Sequence, residues 1–166
     1  MILEIETAIV GRLAAAMPGI RVEAFPEKPE EYTLKHARGA VLVGYGRSAY
    51  GKPEALGAIV QERRLEFDIT ILARDLREHG GAYGYLDAAR VALTGFRPAG
   101  ARKLHPVRDR FLGVRGGVWR YAITMATAAP AMEADEAGQP VLLRRLTLAD
   151  PLAGPDETTV IEKESP

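Results

Sequence analysis

The residues best spaced to do chemistry lie between Gly46 and Pro53. Gly46-Arg47-Ser48-Ala49-Tyr50-Gly51-Lys52 fits G-x-x-x-x-G-K, the pattern of a loop that cradles phosphate with backbone N–H groups and a lysine. Such a loop needs Ser or Thr next, because that hydroxyl holds Mg²⁺, and Pro53 stands there instead. Proline also removes an N–H donor at the helix start where phosphate would sit. No later apolar stretch ends in a metal-holding Asp, since Asp68 falls mid-strand on a polar face. The overlapping Gly44-x-Gly46 lacks the third glycine of a dinucleotide fingerprint. A nucleotide-binding protein is thus kept only as an alternative. The preferred reading is a flexible surface loop facing a partner or a lumen through Gly46, Arg47, Tyr50, Gly51 and Lys52.

The other reactive side chains are scattered. His36, His79 and His105 have no metal-ligand spacing and read as loop histidines. Ser48 and Ser165 are the only serines, neither in a G-x-S-x-G context. The absence of Cys removes disulfides, thiolate metal sites and cysteine nucleophiles. Glu27, Glu30 and Glu31, like Glu133, Asp135 and Glu136, sit in polar sequence that would not raise a carboxyl pKa. No catalytic, cofactor or metal site is expected. Basic residues gather from Arg97 to Arg110, but Asp109 interrupts them and the formal net charge is +0. They read as a patch for an acidic protein surface, with no specific nucleic acid as partner.

The elements that position these residues follow from periodicity. The chain has 166 residues, 47% of them hydrophobic, which suits one globular domain. The first residues carry acids where a signal peptide carries bases, and no apolar run is long enough to span a membrane, so no membrane partner is expected. Ile2, Ile5, Ile9 and Leu13 form a helical stripe that Pro18-Gly19 stops. Ile20–Phe25 alternates as a strand, and Gly39–Tyr45 is a short apolar strand. From Leu65 to Ala73 the alternation is clearest, with Leu65, Phe67, Ile69 and Ile71 on the core face. A second helix covers 82–94, with Gly95 just beyond it. Arg108–Arg115 and Val118–Thr127 pair through Gly116-Gly117, a two-glycine hairpin turn. The order gives an α+β fold, a mixed or antiparallel sheet with two helices packed on one face.

Two features exceed what a lone copy should need. A strand from Val60 to Arg74 would span roughly 46 Å, against about 40 Å for a globule of this length. Its doubly polar start, including Gln61, Arg63 and Arg64, would overhang and need a partner or solvent. After residue 129 the composition turns polar, so residues 1–129 read as the domain and 130–166 as an extended C-terminal arm. The arm's apolar stretch Val141–Leu148, with Val141, Leu142, Arg144 and Leu146, would be a costly exposed edge. It either folds back on its own sheet or adds to a neighbouring subunit.

Phe67 to Pro98 (FDITILARDLREHGGAYGYLDAARVALTGFRP) followed by Arg110 to Met125 (RFLGVRGGVWRYAITM) resembles the tail terminator proteins of Mu-like phages and prophages. The likeness extends over about the first 128 residues in element order. It implies a non-enzymatic α+β unit that assembles into a ring, as a hexamer. The ring would cap the tail tube, and the sheath where the tail contracts, end polymerisation, and offer a surface to head-completion or neck proteins. It also implies residence in the virion, with assembly in the host cytoplasm. A neck or head-completion protein of the same particle is the alternative from the same class.

Overall fold

Helix α1 (Ile2–Ala16) buries Ile5, Ile9 and Leu13, the stripe its spacing predicts. In this computed structural model, residues 1–55, 59–77, 80–133, 146–148 and 159–161 are described. The chain continues through β1 (Arg21–Ala24), a 3₁₀ turn (Pro29–Glu31), β2 (Gly39–Tyr50) and the short β3 (Glu54–Ala55). Then come β4 (Ile59–Ala73), α2 (Ala82–Leu93), β5 (His105–Arg115) and β6 (Val118–Met132). Among the described residues two short strands follow, β7 (Leu146–Leu148) and β8 (Thr159–Ile161).

Five strands form a mixed sheet in the order β1-β2-β4-β6-β5, and β3 pairs with the start of β4. Parallel pairing is confined to β1 with β2 among the registers established, while β2/β4 and β5/β6 run antiparallel. Both helices pack on one face, which makes this an α+β fold. Ile5, Ile9 and Leu13 of α1 and Leu86, Ala89 and Leu93 of α2 share one apolar cluster with Val41, Val43, Phe67, Ile69, Ile71, Ile123 and Met125. Burying each large aliphatic side chain contributes about 1.5–3 kcal/mol, so this interdigitated layer dominates stability. At the hairpin, Gly116 and Gly117 take φ of 58° and 72°, the two positive values that a twist-matched two-residue turn demands.

The chain divides into two compact units, Met1–Pro53 with Gln61–Ala131, and Glu54–Val60 with Met132–Pro166. In the second unit β3 pairs with Ile59 and Val60 of β4, and β7 pairs with β8 in the register Leu146↔Ile161 to Leu148↔Thr159. The Glu133 amide donates to the Ile59 carbonyl at 2.8 Å, and the Ile59 amide donates to Glu133 Oε2 at 2.8 Å.

Three expectations change. The predicted flexible loop is largely strand, because β2 continues through Gly46 and Arg47 to Tyr50, leaving only Gly51 and Lys52 beyond it. A bulge between Tyr45 and Arg47 absorbs the glycine-rich irregularity, after which Ser48 pairs with Leu65 and Tyr50 with Arg63. The start of β4 is therefore not a bare overhang on that side, since Arg63 and Arg64 pair with Tyr50 and Ala49. Of the predicted strand Val141–Leu148, residues Leu146–Leu148 find their partner in this same chain. Val141, Leu142 and Arg144 lie outside the described residues.

Candidate functional site

Period-two alternation sends Leu65, Phe67, Ile69 and Ile71 toward the helices and Glu66 and Asp68 to the opposite face of β4. Glu66 is only 6% exposed and sits among three arginines. Arg47 Nε of β2 donates to Glu66 Oε2 at 2.8 Å and Arg47 Nη2 to Oε1 at 3.2 Å, a two-pronged pair. Arg64 lies 3.7 Å from Glu66 Oε1 and Arg108 of β5 lies 3.9 Å from Oε2. One strand further along, Thr124 Oγ1 donates to Asp68 Oδ1 at 2.5 Å, and Arg110 reaches Asp68 Oδ2 at 3.4 Å. The helix-free face thus carries a row of guanidinium groups from β2, β4 and β5 pinned by two carboxylates.

The hydrogen bonds from Arg47, strengthened by the charges of Arg64 and Arg108, hold the Glu66 carboxyl below its ordinary value of 4.5, against the opposing effect of burial. A carboxyl whose folded pKa is depressed stabilises the fold above its unfolded pKa and ceases to do so as pH falls through the folded one. Glu66→Gln is expected to cost about 1–2 kcal/mol at pH 7, because the charge-assisted bonds are lost beside solvent-exposed arginines. In urea melts that difference should shrink as pH falls below the ordinary glutamate value of 4.5 and vanish once pH has passed through the lower folded value.

On the other face, past the helices, Ser48 collects hydrogen bonds from Tyr45 Oη at 2.8 Å and Arg63 Nε at 2.8 Å. The Arg63 guanidinium lies over the Tyr50 ring, 5.7 Å from its centroid. Gln61 Nε2 donates to the Gly51 carbonyl at 3.3 Å. So the structure brings Arg47, Tyr50, Arg63 and Arg64 together on paired strands, with Gln61 tied to Gly51. None of these contacts cradles an anion, because Arg47–Tyr50 are extended backbone in register with β4 and the Gly51 amide donates to the Glu62 carbonyl at 2.8 Å. Among the described residues no group of His, Cys, Asp and Glu could hold a metal ion.

Beside β1 a cleft is lined by Arg21, Glu23, Lys28, Tyr32 and Lys35. Its carboxylate is already engaged, accepting from Tyr32 Oη at 2.9 Å and pairing with Arg21 at 2.7 Å. Burial, then the hydrogen bond to Glu23, pushes the Tyr32 phenol up to about 12, which keeps it a protonated donor.

The feature that sequence reasoning missed is the outer edge of β5. Order in the sheet places β5 last, and the strand is exposed along its length apart from Gly113. Phe111 is 56% exposed, though its ring lies 5.0 Å from Tyr121 and 6.1 Å from Trp119, and Tyr121 meets Tyr83 of α2 at 5.9 Å. Val107, Leu112 and Val114 are exposed too. Arg90 of α2 bridges Asp87 at 2.6 Å and Asp109 of β5 at 2.8 Å, which fixes the edge strand against the helix layer. The signal was present as the cluster of valine, leucine and phenylalanine among arginines from Val107 to Arg115. Its edge position was not, because strand order is a non-local property.

The geometry defines a class before it defines a member. This is an α+β scaffold with a two-helix layer, a charged sheet face and one long exposed edge. The family model described as "Gp37 protein" matches residues 9–150, and the chain belongs to that family. Among solved structures, the fold is similar to that of a chain in the virion of a native gene transfer agent particle. That likeness has a TM-score of 0.50 at 14% identity, and covers 77% of this chain and 96% of the other. No curated protein matches.

Proposed function

We propose that this chain is a non-enzymatic structural protein of a phage-type particle, a tail terminator. Copies form a ring, a hexamer in the related phage systems, that caps the last disc of the tail tube and ends its growth. The opposite side of the ring then serves head-completion or neck proteins. The observation that carries this reading is the fold, shared over nearly the whole length of a virion chain and found here in a member of the Gp37 family. The tail-terminator resemblance of residues 67–125 agrees with it.

The physical logic is one of unlike surfaces. A ring made by head-to-tail contacts presents two different faces. One can match the growing end of a tube, while the other does not repeat the tube's own surface, so addition stops. The protomer needs unlike contact patches on its two sides, and the sheet supplies them. A four-residue edge strand, β1, lies at one side and an eleven-residue edge strand, β5, at the other.

Sedimentation velocity at tens of micromolar, alone and with tail-tube protein added, tests this reading. A discrete oligomer that forms alone or on the tube protein is the expected result. A strict monomer under both conditions contradicts it.

A further inference from the structure

We propose that the helix-free face of the sheet, around Arg47, Arg64, Arg108 and Arg110, takes the phosphate backbone of a nucleic-acid duplex without reading its bases. The contact goes beyond the ring reading and needs no second copy of the chain.

The pleat collects these arginines on one side. Arg47 stands opposite Glu66 in the β2/β4 register, and Arg108 and Arg110 stand opposite Thr124 and Ala122 in the β5/β6 register. Residues directly opposite in an antiparallel pair share a face, and the hydrogen bond from Thr124 to Asp68 ties both pairs to the same one. Arg64, two residues before Glu66, falls there too. Four guanidinium groups thus contact two carboxylates, a local surplus of positive charge. The other acids that β1 and β4 put on this side, Glu23 and Glu62, are answered by Arg21 at 2.7 Å and Arg102 at 3.3 Å. Arg120, two residues before Ala122, adds a fifth guanidinium, and its Nε has no hydrogen-bond partner among the described residues.

Hydrogen-bond donors are left over. Arg47 spends two N–H groups on Glu66, and Arg110 spends one on Asp68 at 3.4 Å. Arg64 and Arg108 approach Glu66 only to 3.7 and 3.9 Å, beyond hydrogen-bond distance. The four side chains are 43–64% exposed, so oxygens from outside can reach their forks. A guanidinium fork matches two oxygens of one phosphate. Glu66 and Asp68, two residues apart on β4, hold their arginines at centres roughly 7 Å apart, close to the interval between successive phosphates of one strand.

The composition of the face selects the occupant. Thr124 and Ala122, opposite Arg108 and Arg110, are small and only 1% exposed, so no apolar anchor of the kind that centres a protein interface stands there. No residue in register with the four arginines (Glu66, Ala49, Thr124 and Ala122) is aromatic, so a single strand finds no ring on which to stack its bases. What remains is contact with phosphates, which positions a duplex and carries no sequence information.

Fluorescence anisotropy of the full-length chain with a short labelled DNA duplex of mixed sequence, read across a salt series, tests this. The parent should bind two unrelated duplexes alike, with log affinity falling steeply against log salt. Arg64→Gln/Arg108→Gln should weaken binding about tenfold at low salt and reduce the salt slope by about two. Arg63→Gln/Arg90→Gln removes the same charge from the helix-bearing side and should bind like the parent. Arg64→Lys/Arg108→Lys keeps both charges and should keep the parent's slope. The comparison is made among variants whose urea midpoints match the parent's. No binding at low salt, or an equal loss in the Arg63/Arg90 variant, overturns the proposal. Tighter binding of a single strand overturns it as well, and so does tighter binding of poly-glutamate, which would make the face a dock for an acidic protein. None of these results touches the ring reading, which sedimentation decides.

Discussion

Ile69→Asp is expected to leave the chain unfolded at room temperature. Ile69 is wholly buried at the centre of β4, opposite Val43 of β2 and within the cluster that joins both helices to the sheet. The substitution removes about 2 kcal/mol of apolar burial. It also places a carboxylate, unpaired by any described neighbour, where ionisation costs several kcal/mol more. A total of at least ~5 kcal/mol matches the whole stability of many domains of this size. Loss of the far-UV signal together with the urea transition is the expected result. A cooperative transition near the parent's would mean that the two-helix face of the sheet is not the core.

Gly39→Ala is expected to cost about 3 kcal/mol or more, a large effect for one methyl group. Gly39 opens β2 with φ of 155°, and a Cβ there would lie 2.1 Å from the Leu72 carbonyl oxygen. That oxygen belongs to the backbone of β4, so relief requires moving the strand out of the register that pairs Gly39 with Ala73 and Ala40 with Leu72. Gly84 of α2 is the informative contrast. Nothing lies within 4 Å of the Cβ it would gain, so Gly84→Ala should stabilise by about 0.5–1 kcal/mol through helix propensity. Equal midpoints for the two variants in urea would contradict the close approach of β2 and β4 at Gly39.

Much of this architecture is legible in the residues, and what is not has a physical cause. The stripe Ile5-Ile9-Leu13 and the alternation Leu65-Phe67-Ile69-Ile71 are strong because each repeats the period of its element across a buried face. Gly116-Gly117 marks its turn because few residues other than glycine adopt two consecutive positive φ values. Residues 46–50 read as a loop in the sequence and are strand in the fold for a related reason. Glycine, serine and small side chains look like a loop, yet β4 extends far enough to pair with them, and tertiary pairing overrides local propensity. Their near-match to a phosphate loop is a coincidence of spacing on a strand.

The surface features behave differently. The pairing of Arg47 and Arg108 with Glu66 joins residues from three strands, and only the order β2-β4-β6-β5 decides which of them meet. The edge position of β5 depends on that order as well. The polar start of β4 and the apolar stretch near Leu146 stood out in the sequence as surplus pairing capacity. Intramolecular partners account for Arg63, Arg64 and Leu146–Leu148. The long edge with no described partner is β5 instead.

Electron microscopy of tail-tube protein polymerising with and without this chain measures the central claim most directly. The account predicts that a few copies per tube end suffice to halt growth, leaving short tubes each closed by a ring of density at one end. Tubes of unaltered length, with no density added at their ends under conditions where both proteins are folded, would contradict it.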